Sequence, residues 1–242
     1  MTAPKGRYWL IGASEGLGRA LAEAMSAEGY DLVLSARSAD RLESLAASLP
    51  GPSQTMPLDV TDADACTAAA QSAGPVDGLI YLAGVYWPMR AQEYNGAQAA
   101  AMCDTNLTGA ARVLGPVLPE MVERGAGHIV FVGSLAGYRG LPGAVGYAAA
   151  KAGIMGLAES LHADLRGTGI KVQLANPGFI RTRLTDKNDF SMPFLMEPDA
   201  AARRVLSHME TGGFSCSFPR PFSWLFRLAQ FLPDALYYRL VA

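Results

Sequence analysis

Short apolar runs recur along the chain, each followed by a longer stretch of helical periodicity. That alternation limits the fold more than any other feature. The runs Tyr8–Ile11, Leu32–Ser35, Leu79–Ala83, His128–Val132 and Lys171–Ala175 read as strands buried on both faces. Between the first two, Leu17, Leu21, Ala24 and Met25 fall on one helical face, and Gly29 offers a stop. Similar helices are predicted over Ala39–Leu49, Asp62–Ser72 and Gln92–Leu114. Strand–helix–strand repetition of this kind predicts an α/β fold, a doubly wound parallel sheet with helices on both faces.

No repeat, low-complexity tract or linker divides the 242 residues, so residues 1–242 are expected to form a single domain. Beyond Pro177 the pattern changes. Met192–Met196 and Pro219–Phe222 are apolar and punctuated by proline, which suits a flap over a site better than a sheet element. The expected division is a core over about 7–182 and a substrate flap with a tail over about 183–242.

Composition removes several classes of function. A formal charge of −2 gives no reason to expect nucleic acid as a partner. Cys66, Cys103 and Cys216 are far apart and odd in number, with neither a disulfide framework nor a metal spacing. They read as small buried hydrophobes in a reducing cytoplasm. His128, His162 and His208 are isolated, so no metal site is expected. No apolar run reaches a membrane span, and the run after Met1–Arg7 is too short for a signal peptide, so a cytoplasmic protein is expected.

The turn between the first strand and first helix reads Gly12-Ala13-Ser14-Glu15-Gly16-Leu17-Gly18. Glycines there let backbone amides approach a pyrophosphate at a helix N-terminus. A purely structural turn is the alternative, because the spacing is not the ordinary G-x-G-x-x-G. An acidic residue at the end of the second strand would select NAD(H) through the ribose hydroxyls. This strand ends Ala36-Arg37-Ser38 instead. A guanidinium at that point suits a 2′-phosphate, with the Ser38 hydroxyl assisting, and favours NADP(H). The competing reading is a solvated arginine.

Tyr147 and Lys151 lie four residues apart, on one face of a helix. A lysine cation beside a phenol favours the phenolate, and such a pair can exchange a proton with a carbonyl or alcohol oxygen. Alone, the spacing fits an ordinary surface pair. Ser134 follows the run His128–Val132 and so stands at the C-terminal end of a strand, where open α/β sheets place ligands. Asn106 adds an amide within an otherwise apolar helix.

Taken in order, Gly12-x-x-x-Gly16-x-Gly18, Ala83-Gly84, Asn106, Ser134, Tyr147-x-x-x-Lys151, Pro177-Gly178 and Thr182 resemble a classical short-chain dehydrogenase/reductase over residues 7–182. The resemblance implies a Rossmann-like single domain and an oxidoreductase that moves a hydride between NADP(H) and a ketone or secondary alcohol. It implies that Tyr147 is the general acid/base and that Ser134 holds the substrate oxygen. Lys151 would bind the nicotinamide ribose and lower the phenol's pKa, and Asn106 would organise a water relay to Lys151. Further cofactor contacts are implied at Ser14, Glu15 and Leu17 in the glycine turn, at Asp59 and Val60 beside the adenine, and at Ile180. Two departures, Ile11 where threonine is usual and Leu82 in place of the asparagine before Ala83-Gly84, remove polar supports near the cofactor.

Val85, Tyr86, Trp87, Leu135, Leu141, Pro142, Phe179, Leu184 and the segment Phe190–Met196 are candidate pocket walls. They point to a hydrophobic small-molecule substrate, although some of them would equally close the core or an interface. The stripe Trp224, Leu225, Leu228, Phe231 and Leu232 has helical spacing and is expected to bury against the protein or a second subunit. Peripheral membrane contact is a further reading of that stripe, since Arg227 and Arg239 accompany it. The family resemblance implies a homodimer or homotetramer. An NAD(H)-dependent alcohol dehydrogenase and a catalytically silent nucleotide-binding scaffold are the competing functions.

Overall fold

The computed structural model describes residues 5–241. Seven parallel strands form one sheet in the order β3-β2-β1-β4-β5-β6-β7. They are β1 (Arg7–Ile11), β2 (Asp31–Ala36), β3 (Ser53–Pro57), β4 (Gly78–Tyr81), β5 (Gly127–Val132), β6 (Ile170–Pro177) and β7 (Ser215–Phe218). The chain reverses direction across the sheet between β3 and β4, which leaves a crevice beyond the carboxyl ends of β1 and β4.

The helices are α1 (Gly16–Ala27), α2 (Ala39–Ser48), α3 (Ala63–Ala73), α4 (Gly96–Cys103), α5 (Gly109–Arg124), α6 (Val145–Asp164), α7 (Pro198–Glu210), α8 (Arg220–Ala229) and α9 (Asp234–Val241). Because side chains alternate along a strand, the inner strands feed two cores. Trp9, Ile11, Ile129, Phe131 and Leu174 pack with residues of α3, α5 and α6 on one face. Leu10, Leu32, Leu34, Ile80 and Val130 pack with residues of α1, α2 and α7 on the other.

Five strands match the apolar runs, and two do not. β3 reads Ser-Gln-Thr-Met-Pro, an edge strand with one buried residue, so it carries no apolar signal. β7 lies in the region expected to be a flap and instead pairs with β6, Leu174 to Ser215 through Pro177 to Phe218. The helix expected over Gln92–Leu114 is broken by a π-helical turn at Asp104–Thr108 and runs on to Arg124. The Tyr81 hydroxyl donates to the Thr105 carbonyl within that turn at 2.5 Å, a bond made from the sheet rather than by local sequence.

At the opposite end of the sheet a buried polar chain ties four elements together. Gln173 Nε2 donates to the carbonyls of His208 and Gly213, at 2.8 and 2.7 Å. Its Oε1 therefore accepts from His128 Nε2, at 2.8 Å, and His128 Nδ1 accepts from the Tyr8 hydroxyl at 2.9 Å. Burial pulls the His128 pKa down to about 4 from 6.5. The ring thus stays neutral in the fold while the unfolded chain takes up a proton below pH 6.5. Stability present above that pH is expected to fall through the window from 6.5 to about 4, by up to about 3 kcal/mol. Urea unfolding across those pH values measures it. His128→Gln, which keeps hydrogen-bonding atoms but does not titrate, should flatten the dependence.

Candidate active site

The carboxyl ends of β1 to β6 meet at one edge, and the loops that leave them bound a cleft of about 510 Å³. Every expected cofactor position, from Gly12 on the β1–α1 turn to Thr182 after β6, lines this cleft. Two of the glycines are required by close approach. Gly12 has φ +98°, and a Cβ there would stand 2.6 Å from the Ala83 nitrogen. A Cβ on Gly18 would stand 2.0 Å from the Gly12 carbonyl oxygen. The cradle therefore closes if either gains a side chain. Thr182 sits against the same turn, its methyl 2.8 Å from the point where a Gly16 side chain would begin.

At the adenosine end, β2 finishes at Ala36, with the exposed Arg37 next. Arg37 makes no ion pair among the described residues. Ser38 is the N-cap of α2, yet its hydroxyl makes no capping bond. Arg41 lines the cleft one turn further on, as do Arg181 and Arg183. These three escaped the sequence reading, although Arg41 stands in the first turn of α2, just after Arg37 and Ser38. Glu15, expected to touch the cofactor, is ion-paired with Arg41 at 2.7 Å and with Arg183 at 2.6 Å. Asp59 is held below the usual carboxylate range, first by the Thr61 backbone N–H and also by the Thr61 hydroxyl and Arg37.

At the other end, Ser134 follows β5 while Tyr147 and Lys151 project from α6, and all three line the cleft. The Ser134 oxygen accepts from the Ala136 N–H at 3.1 Å, which holds the serine at the start of its loop. Lys151 Nζ donates to the Val132 carbonyl at 2.9 Å and lies 5.7 Å from the centre of the Tyr147 ring. Burial lowers Lys151 to about 8. Burial also pushes the Tyr147 phenol up to about 12, with the Ser134 hydroxyl pulling the other way. Desolvation is the largest influence on both groups.

Asn106 is buried beneath the loop that it supports. It lies in the π-helical turn, is 1% exposed, and does not line the cleft. Its Oδ1 accepts from the Val85 N–H at 2.7 Å and its Nδ2 donates to the Val85 carbonyl at 3.0 Å. The side chain thereby clamps the loop after β4.

That loop meets the segment after β6. The Tyr86 ring packs edge-on against Tyr147, centroids 4.9 Å apart, and its hydroxyl donates to Asn188 at 3.0 Å. Lys187, unnoticed in the sequence, donates to the Tyr86 carbonyl at 2.6 Å and lies 4.8 Å from the Trp87 ring centre. Phe179 contacts both Phe190 and Phe222, at 5.9 and 6.0 Å between centroids. Aromatic rings from the segments after β4 and β6 and from α8 thus gather near the site, while of the expected pocket walls Val85 and Leu184 line the cleft itself. Among the described residues there is no metal-binding cluster and no helix long and apolar enough to cross a membrane.

Over residues 8–191 the chain matches the model of the family described as short chain dehydrogenase. An uncharacterized oxidoreductase of Myxococcus xanthus is 40% identical over 235 residues, 94% of this chain and 93% of that protein. The sulfoacetaldehyde reductase of Chromohalobacter salexigens is 37% identical over 185 residues, 73% of each chain. A crystal structure of a short-chain dehydrogenase from Streptomyces avermitilis superimposes with a TM-score of 0.86 at 26% identity, over 99% of this chain and 96% of that one. The matched span runs from β1 through the loop after β6 and takes in the glycine turn, Ser134 and the Tyr147–Lys151 pair. The chain belongs to the short-chain dehydrogenase/reductase family of oxidoreductases.

Proposed function

We propose that the protein interconverts an apolar ketone and its secondary alcohol with NADP(H), with Tyr147 as general acid/base. The observation that carries this reading is the convergence of Ser134, Tyr147 and Lys151 on the cleft that begins at the glycine cradle. A cradle that one Cβ would fill fits a pyrophosphate, and a nicotinamide cofactor, when bound, supplies or accepts the hydride. In reduction, the neutral Tyr147 phenol donates its proton to the oxygen that gains charge, and the Ser134 hydroxyl hydrogen-bonds that oxygen. In oxidation the same two groups act in reverse. The Lys151 ammonium orients the ribose hydroxyls of the cofactor, while Asn106 positions Val85 at the wall. Tyr86, Trp87 and Phe179, with residues of the flap over about 183–196, exclude water and favour an apolar substrate.

NADP(H) is favoured over NAD(H) because Arg37, Arg41 and the uncapped Ser38 hydroxyl surround the start of α2 where an acid would serve NAD(H). A relative named as a reductase is in keeping with the reductive direction. Calorimetric titration tests the cofactor reading. NADPH is expected to bind more tightly than NADH, and Arg37→Ala to weaken NADPH by roughly tenfold or more with little change for NADH. Tighter NADH binding would select an NAD(H) dehydrogenase. Binding of both cofactors without turnover of any apolar ketone would favour a silent scaffold.

We further infer a cytoplasmic homo-oligomer. Free cysteines suit a reducing compartment. Gly156 on α6 has nothing within 4 Å of its Cβ position, an open small-residue surface that suits close packing of a second subunit.

A further inference from the structure

We propose that the outer face of α8 and α9 docks the protein on an anionic lipid surface. Within the chain itself, most of the stripe expected to bury against the protein or a second subunit stays exposed. Of the twelve large hydrophobic side chains exposed among the described residues, seven lie between Trp224 and Leu240. Trp224, Leu225 and Leu228 are 61–64% exposed and Phe231 is 84% exposed. The inner face of α8 is already taken, with Phe222 and Ser223 buried and Phe222 stacked on Phe179, Phe194 and Phe226. The helix is therefore apolar on both sides, and only one side has a partner within the chain.

The outer face is held in place. The Arg139 guanidinium donates to the carbonyls of Ala229 and Leu232, both at 2.7 Å, and pairs with Asp234 at 2.5 Å. It also stacks 4.0 Å from the Tyr237 ring centre, and the Tyr237 hydroxyl donates to the Gly140 carbonyl at 2.7 Å. Tyr237 is thereby buried against the body and fixes α9 beside α8.

Charge selects the occupant. Residues 219–242 hold Arg220, Arg227 and Arg239 against Asp234 alone, a net +2 in a chain whose total is −2. Arg139 neutralises Asp234, and the three arginines of the tail make no ion pair among the described residues. Trp224, Arg227, Leu228 and Phe231 also edge a groove against the body, where Glu159 is the one acid among the lining residues. Exposed Trp, Leu and Phe flanked by arginine suit the boundary between headgroups and acyl chains of an anionic surface. A second copy related by a two-fold axis through this face would bring the same arginines together, a repulsive arrangement. Phe222 links the docked helix to Phe179 and Phe194 at the mouth of the cleft, so docking brings that mouth near the lipid. The docking stands independently of the cofactor and the reaction.

The test is co-sedimentation of the full chain with phosphatidylcholine vesicles, with and without phosphatidylglycerol. Binding is expected only when phosphatidylglycerol is present, to weaken as salt is raised, and to come with a blue shift in fluorescence that Trp224→Phe removes. Leu228→Asp with Phe231→Asp should lower the bound fraction roughly tenfold with an unchanged unfolding midpoint. Arg220→Glu with Arg227→Glu should lower it as well, and guards against misfolding of the first variant. Absence of binding to the anionic vesicles, or binding unaffected by either pair, overturns the proposal. So does light scattering in which the Leu228 and Phe231 variant turns a multimer into 25.5 kDa monomers while the wild type ignores vesicles.

Discussion

Replacing Tyr147 with phenylalanine is expected to lower turnover by about 10²–10⁴-fold while leaving NADPH affinity nearly unchanged. The ring packs against Tyr86 and flanks Lys151 through its apolar atoms, and phenylalanine keeps those contacts. What is lost is one hydroxyl. Since burial pushes that phenol up to about 12, it carries its proton throughout the neutral range. Ketone reduction draws on this protonated form, whereas alcohol oxidation needs the phenolate, which becomes more populated as pH rises. Oxidation by the wild type is therefore expected to climb with pH over the range where reduction does not. Initial rates in both directions, together with calorimetry of NADPH binding, measure the two effects. Wild-type-like turnover in the variant would remove Tyr147 from the chemistry. Equal pH profiles in the two directions would show that the phenol does not control the proton step.

Much of this site was legible because its residues act through position along the chain. The glycine turn follows an apolar run, Ser134 follows another, and Tyr147 and Lys151 are one helical turn apart, so local pattern alone brings each to the same sheet edge. What stayed hidden depends on contacts distant in sequence. The break at Asp104–Thr108 is held by Tyr81 and by the Val85 clamp, neither of which a periodicity can register. β3 forms on the strength of its pairing with β2, although its residues are largely polar. β7 was masked by the prolines after it, and Phe218 closes the strand against Pro177. In the tail, helical spacing alone could not say which side would pack within the chain. Phe222, Ser223 and Phe226 took the inner side, and Trp224 and Leu228 were left outside. Arg41 was the visible omission, one turn beyond Arg37 and facing the same cleft.

Lys151→Met is expected to make the folded protein more stable near neutral pH while severely lowering turnover. The wild-type ammonium is 5% exposed, and its only hydrogen bond to protein is to the Val132 carbonyl. Burial brings its pKa to about 8 from the ordinary 10.5. At pH 7 the lysine is charged in both the folded and the unfolded chain, so folding bears the desolvation of that charge, up to about 3 kcal/mol. Methionine removes the charge but leaves the Val132 carbonyl without its donor, which costs back about 1 kcal/mol. The net expected gain is about 1–2 kcal/mol. The sign also predicts how the gain depends on pH. Between pH 8 and 10.5 the folded wild type releases the lysine proton while the unfolded chain retains it, so wild-type stability rises through that window. The advantage of the variant should accordingly shrink as pH approaches 10.5. Urea unfolding of both proteins at neutral pH and near the top of the window measures this directly. A variant less stable at neutral pH, or an advantage that grows with pH, would mean that Lys151 is not held as a poorly solvated cation. A gain in stability joined to a loss of turnover would show that the fold carries this charge, at a net energetic cost, for the sake of the site.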